Sequence, residues 1–324
     1  MNGKINLLIT GGAGFIGSNL VESFLKDERV AKVRILDDLS NGYISNVEKF
    51  MGHPKFEFIE GDITNYQKCL EACEGIQKIS HQAGLGSVPR SIENPMRTTE
   101  VNILGTVNLL YAAHVKGVER VILACSSSTY GDHSALPKLE DRIGKPLSPY
   151  AVTKFSMEQF ADVFGKTYDL RWIGLRYFNI FGPNQNPDNP YAAVIPLFSK
   201  AFVSNGKIII NGDGETSRDF TYVDNAVSIN ELALFTEKKE AFDQVYNVAC
   251  GDQITLNEIV SLLAENSGAA PEIEYGPERK GDVRHSRADI SKAQNLLSYQ
   301  PKVRFKEGLE KVYKYYSESN KIGK

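Results

Sequence analysis

Few cysteines, few histidines and no long apolar run characterise this chain of 324 residues. Its four cysteines, Cys69, Cys73, Cys125 and Cys250, include no pair with the Cys-x-x-Cys spacing of a metal or redox site. The five histidines, His53, His81, His114, His133 and His285, are scattered and form no ligand cluster, so no metal is expected. Nowhere does an apolar stretch reach the length that spans a bilayer. The opening Met1-Asn2-Gly3-Lys4 leads straight into a short apolar run and glycines, unlike a secretory signal. A formal net charge of −3 offers no basic excess for nucleic acid. What remains is the expectation of a soluble, cytoplasmic, metal-free protein with free thiols. With 42% hydrophobic residues, the chain can build one large domain or two closely packed ones.

The first informative stretch is an apolar run, Ile5 to Thr10, followed by Gly11-Gly12-Ala13-Gly14-Phe15-Ile16-Gly17 and a helical pattern to Lys26. Gly11 suits a tight turn, Gly14 lets the backbone approach a pyrophosphate, and Gly17 lets the helix pack on the strand. Phosphates would then meet the free N–H groups of a helix N-terminus. A second apolar strand, Lys32 to Leu36, ends in Asp37-Asp38, with Asp37 20 residues beyond Gly17. An acid at that distance accepts hydrogen bonds from an adenosine ribose and repels a 2′-phosphate, which favours NAD over NADP. Ser40-Asn41-Gly42 reads as the turn that follows.

Strands at Phe56 to Glu60, Lys78 to His81 and Val121 to Ala124 continue the rhythm, with a helix from about Pro95 to Lys116 between the last two. Alternation of this kind predicts an α/β fold: a doubly wound parallel (Rossmann) sheet, with ligands at the strand C-terminal ends. The strand at Val121 runs directly into Cys125-Ser126-Ser127-Ser128-Thr129-Tyr130, a hydroxyl run well placed to touch a substrate or to cap the local turn. Ser148-Pro149-Tyr150-Ala151-Val152-Thr153-Lys154 then opens a helix, with Ser148 as its cap and Pro149 at its first position. Tyr150 and Lys154 share a helix face, and a nearby cation favours phenolate and lowers a tyrosine pKa. Taken alone, that spacing also fits a surface helix, and the glycines also fit an ordinary turn.

Together, Gly11-x-x-Gly14-x-x-Gly17, the serine run at Ser126 and Tyr150-x-x-x-Lys154 resemble the extended short-chain dehydrogenase/reductase family. Leu175-Arg176-Tyr177-Phe178-Asn179, Ser217-Arg218-Asp219-Phe220 and Arg279-Lys280-Gly281-Asp282 resemble its nucleotide-sugar branch, in particular the bacterial UDP-N-acetylglucosamine 4-epimerases. The pattern spans roughly residues 5 to 310. The resemblance implies a catalytic Ser126, Tyr150 and Lys154. It implies an NAD site formed by Gly11, Gly14, Phe15, Ile16 and Gly17, by Asp37, Asp38, Ser40, Asn41 and Gly42, and by Asp62, Ile63, Gln82, Ala83, Gly84, Asn102 and Tyr177, with Tyr150 and Lys154. It places a UDP-sugar against Gly86, Ser87, Ser126, Ser127, Ser128, Tyr150, Asn179, Ala193, Val194, Asn211, Arg218, Arg279, Asp282 and Ser286. Arg218 and Arg279 would clamp the diphosphate, for which a planar guanidinium is suited.

The implied reaction is 4-epimerisation of UDP-N-acetylglucosamine and UDP-N-acetylgalactosamine, within polysaccharide biosynthesis. Family dehydratases place an Asp-Glu pair after a Thr where this chain has Ser126-Ser127-Ser128-Thr129, so elimination of water is not expected. Enzymes restricted to plain hexoses resemble each other in placing Tyr where this chain has Ser286, and a serine leaves volume for an N-acetyl group. Gly86 and Ser87 match positions lining that acetamido pocket. UDP-glucose and UDP-galactose, UDP-N-acetyl-hexuronic acids, and a non-catalytic NAD-binding regulator are the alternatives. Family members commonly pair as homodimers through two helices per subunit, here those around Asn102 and Tyr150.

After Phe178 prolines and asparagines become frequent. The expected division is a Rossmann domain over 1–178, joined by a returning strand near 244–249, and a smaller substrate domain over 179–324. Helices are expected at Leu256 to Asn266, Ser291 to Leu297 and Lys306 to Tyr316, and a polar tail from Ser317.

Overall fold

The computed structural model describes residues 3–278 and 283–322. Its first six strands are β1 (Ile5–Thr10), β2 (Val30–Asp37), β3 (Phe56–Glu60), β4 (Lys78–His81), β5 (Arg120–Ser126) and β6 (Arg171–Tyr177). They form a parallel sheet with a seventh strand, Gln244–Val248, which pairs with β6; the order from that strand is β6, β5, β4, β1, β2, β3. The chain leaves β1 in one direction to β2 and β3, then returns to the other side of β1 for β4 to β6. The doubly wound sheet expected from the sequence is present. Reversal between β1 and β4 opens a crevice at the strand C-terminal ends, where such folds bind ligands. Both faces of the sheet are buried, so its strands are near-continuous apolar runs; Leu7, Leu8, Ile9, Ile35, Leu36, Val121, Ile122 and Leu123 are fully buried.

The helices, in chain order, begin with α1 (Phe15–Lys26), α2 (Tyr66–Cys73), α3 (Val88–Glu93), α4 (Pro95–Thr99), α5 (Gly105–Val115) and α6 (Pro149–Tyr168). They continue with α7 (Val194–Ser204), α8 (Val223–Phe235), α9 (Leu256–Ser267), α10 (Ser291–Leu297) and α11 (Phe305–Ile322). One face of the sheet is covered by α1, α8 and α10. The other carries α2, α5 and α6. A third apolar cluster lies beyond the sheet, where α7, α9 and α11 surround Phe181, Phe220 and Tyr222.

Two elements differ from the sequence expectation. The helix expected over 95–116 is divided into α4, a wide turn at Glu100–Leu104 and α5; in that turn the Gly105 N–H donates to the Glu100 carbonyl five residues back. Such wide turns often mark functional positions, and this one carries Asn102. The expected polar tail is instead the last part of α11, which runs to Ile322. Lys314 and Glu318, 3.9 Å apart at i,i+4 spacing, support that continuation.

Beneath the sheet a buried ion pair ties α6 to β6. Arg176 donates from Nε and Nη2 to the two Glu158 carboxylate oxygens at 2.9 and 2.8 Å, with both side chains 4% exposed. Removing one partner of such a pair leaves the other charge buried and uncompensated. Glu158→Ala is therefore expected to destabilise the fold by about 3–5 kcal/mol. A fall in the urea midpoint at unchanged slope checks this, and an unchanged midpoint contradicts it.

Candidate active site

A cavity of about 690 Å³ lies at the strand C-terminal ends, bounded at one end by the glycine turn and at the other by Arg218 and Ser286. The turn is built by steric necessity. Gly11 has φ +68°, and an added Cβ would lie 2.7 Å from the Ala83 nitrogen. At Gly17 an added Cβ would lie 2.0 Å from the Gly11 carbonyl oxygen. Gly14 differs: its added Cβ would meet only that same carbonyl, at 3.2 Å, so the space it keeps open belongs to the cavity. Gly14 also caps α1, which has no side-chain cap, leaving N–H groups free for an anion.

Asp37 is buried beside the turn. Its Oδ2 accepts the Ala13 N–H and its Oδ1 the Leu39 N–H, both at 2.9 Å. Burial raises its pKa and the two backbone bonds oppose that shift. A carboxylate has acceptor capacity beyond two bonds, and Asp37 lines the cavity together with Asp38 and Asp62. Asp38 is the more open of the neighbouring pair and binds the Ser40 backbone and hydroxyl. The open Gly14 position, the uncapped helix and these acids fit a dinucleotide diphosphate with its adenosine ribose. Phe15, Ile16, Ser40, Asn41, Gly42, Ile63, Gln82, Ala83, Gly84 and Tyr177 also line the wall.

The catalytic candidates converge deeper in the cavity. Ser126 ends β5, Ser127 and Ser128 begin the tight turn after it, and Tyr150 and Lys154 project from the first turns of α6. The Ser148 hydroxyl caps that helix by accepting the Ala151 N–H at 3.1 Å. The Lys154 Nζ lies 5.9 Å from the Tyr150 ring centre and donates to the Ala124 carbonyl at 2.8 Å. Burial pulls the Lys154 ammonium down to about 8. For Tyr150, burial raises the phenol pKa while a hydrogen bond with Ser126 pulls it down. The lowering expected from the neighbouring ammonium is not seen: desolvation is the largest influence on the phenol, and Lys154 is not among those that oppose it.

Asn102 does not reach the cavity. Its Oδ1 accepts the Leu85 N–H at 2.7 Å, and its Nδ2 donates to the Leu85 carbonyl and the Thr153 hydroxyl at 3.1 and 3.0 Å. It therefore holds the Gly84-Leu85-Gly86 loop against α6 and supports the site from behind the wall rather than lining it. Gly86, Ser87, Asn179, Ala193, Arg218 and Ser286 line the substrate end. Val194 begins α7 and Asn211 ends the strand Ile208–Asn211; neither is in the wall. Arg279 and Asp282 lie outside the described residues.

The structure adds residues that motif reading missed. Lys138 lines the wall, almost fully buried, with its ammonium donating to the His133 carbonyl. Gln185 does too, and its Oε1 is buried without a partner. Nothing in their local sequence marks them, because long-range packing brings both to the cavity.

The sequence profile of the family described as GDP-mannose 4,6 dehydratase matches residues 8–312. The chain belongs to that family, within the extended short-chain dehydrogenases/reductases. Among relatives of this family, UDP-glucose 4-epimerase of Mycolicibacterium smegmatis is 36% identical over 311 residues, covering 95% of this chain and 97% of that protein. UDP-N-acetylglucosamine 4-epimerase from Methanobrevibacter ruminantium, solved with UDP-N-acetylmuramic acid, superposes with a TM-score of 0.91 at 34% identity, covering 98% of this chain and 99% of that one. UDP-glucose 4-epimerase of Thermus thermophilus, solved with NAD, gives 0.86 at 32% identity, covering 96% and 99%. No helix among the described residues is long and apolar enough to cross a membrane.

Proposed function

We propose that this protein is an NAD-dependent UDP-sugar 4-epimerase acting on UDP-N-acetylglucosamine and UDP-N-acetylgalactosamine. The observation that carries the reaction class is the distribution of acid groups in the cavity. Ser126, Tyr150 and Lys154 stand together in its wall, whereas the lining carboxylates among the described residues, Asp37, Asp38 and Asp62, all lie at strand ends on the adenosine side. Ser127 and Ser128 occupy the positions beside Ser126. A proton relay is therefore available for a sugar hydroxyl, but no acid is at hand to expel water. This supports epimerisation over the dehydration named in the family description.

NAD, when bound, supplies the hydride acceptor and donor and a cationic ring that favours the phenolate. Tyr150 takes the proton of the 4-hydroxyl as that carbon becomes a ketone, and returns it once the sugar has turned over. Ser126 holds the reacting oxygen by hydrogen bonding. Lys154 places a positive charge beneath the phenol and resists its reprotonation from solvent. Open space at the substrate end supports the acetylated pair: an added Cβ at Gly86 would meet nothing within 4 Å, and Ser286 is small.

Incubation with UDP-N-acetylglucosamine and with UDP-glucose separately, without added NAD, tests both levels. Proton NMR should show the acetylated sugar approaching its epimer ratio faster; conversion of neither sugar would exclude the reaction.

A homodimer is part of the same proposal. Helices α5 and α6 expose apolar side chains outward, including Leu104 just before α5, Tyr111, Val115, Val152, Phe160 and Val163. A patch of this kind marks a protein interface, and two adjacent helices suit a self-complementary two-fold contact. Light scattering should report twice the chain mass, with Val163→Glu shifting it to one; a monomeric wild type overturns the pairing.

A further inference from the structure

Asp219 is fully buried, and no lysine or arginine pairs with it among the described residues. Such a carboxylate is costly to keep unless its oxygens are satisfied. Here backbone donors do so. Oδ1 accepts the Cys250 N–H at 3.0 Å, and Oδ2 accepts the Gly251 and Ala288 N–H groups, both at 3.1 Å. Three segments distant in sequence thus meet at one carboxylate: the strand Ser217–Arg218, the turn after Gln244–Val248, and the stretch 284–288. The Asp219 carbonyl also accepts the Asn179 Nδ2 at 2.9 Å.

Ser217, two residues earlier, closes the other side of the same stretch. Its N–H donates to the Arg284 carbonyl at 3.0 Å, and its carbonyl accepts the Ser286 N–H at 3.1 Å. Its hydroxyl lies 2.7 Å from the His285 Nδ1. Ser286 is therefore held from both sides, by Ser217 directly and by Asp219 through Ala288. Arg218 lies between the two anchors. Four cavity residues at the substrate end, Asn179, Arg218, Val283 and Ser286, hang on this junction or adjoin it.

We infer that Asp219, together with Ser217, is a positioning residue for substrate: it fixes the backbone that carries Arg218 and the Ser286 gate in one register without touching the ligand. The inference rests on the UDP-sugar reading above and deepens it. Asp219→Asn preserves size but replaces one oxygen with an amide nitrogen, which faces N–H donors and cannot accept from them.

The test uses the full-length protein with its copurified NAD. For Asp219→Asn, KM for the UDP-sugar should rise about tenfold, the scale of one lost charge-assisted hydrogen bond, with kcat held within about threefold. NAD content should be unchanged and the preference for acetylated over plain sugar should narrow. A purely structural role lowers the melting temperature and leaves KM and preference alone in the folded variant; that result overturns the inference. Should Asp219→Asn fail to fold, Ser217→Ala decides. Loss of its hydroxyl should raise KM about threefold, the scale of one neutral hydrogen bond, and an unchanged KM overturns the inference. If the wild type converts no UDP-sugar, the functional reading fails instead, which separates the two outcomes.

Discussion

Tyr150→Phe is expected to lower turnover by about 10³-fold, within the range ascribed to a positioned acid/base, while copurified NAD stays bound. The substitution removes one oxygen and keeps the ring that lines the cavity. Burial raises the phenol pKa, so the phenolate is favoured only as far as neighbouring positive charge offsets desolvation. The sign of the pH dependence follows. Activity should fall as the pH rises through the range where Lys154, pulled down to about 8, loses its proton, because the positive charge beside the phenol is then lost. A pH series of kcat on wild type and variant, with NAD measured by absorbance after acid release, checks all three statements. Near-normal turnover in the variant would sink the assignment of Tyr150.

The second large effect concerns which sugar is accepted. Ser286→Tyr should cut kcat/KM for UDP-N-acetylglucosamine by at least about 100-fold and that for UDP-glucose by no more than about threefold, since steric exclusion acts on the larger substituent only. Ser286 lines the cavity and its backbone N–H is fixed by the Ser217 carbonyl, so the backbone that would carry a larger side chain is held in place. Equal loss for both sugars would argue against a gate at this position. The two substitutions separate chemistry from selection: Tyr150 governs oxidation of the 4-hydroxyl for any sugar, and Ser286 acts before that step.

How much of this was legible in the residues depends on how local each feature is. The strand, glycine turn and helix over 5–26 are contiguous, so composition and spacing predict them, as they do Ser148 capping the helix that carries Tyr150 and Lys154. Strand alternation likewise predicted the doubly wound sheet, because parallel neighbours need helical crossovers between them. Asn102 shows where such reading stops. A helix carrying Asn102 in support of the site is expected from the sequence, but the loop that Asn102 holds, at Leu85, is visible only in the folded chain.

The pairing of Tyr150 and Lys154 is local: four residues apart on one helix face, behind a cap and a proline. Their pKa shifts are not local, because desolvation depends on β5 and the whole cavity wall closing around them. The same holds at the substrate end. Residue types at Arg218, Ser286 and Asn179 are visible in the chain, but their common register is set by the Asp219 carboxylate, which gathers N–H groups from positions 250, 251 and 288. Local spacing fixes which groups share an element; burial and long-range hydrogen bonds fix what those groups can do.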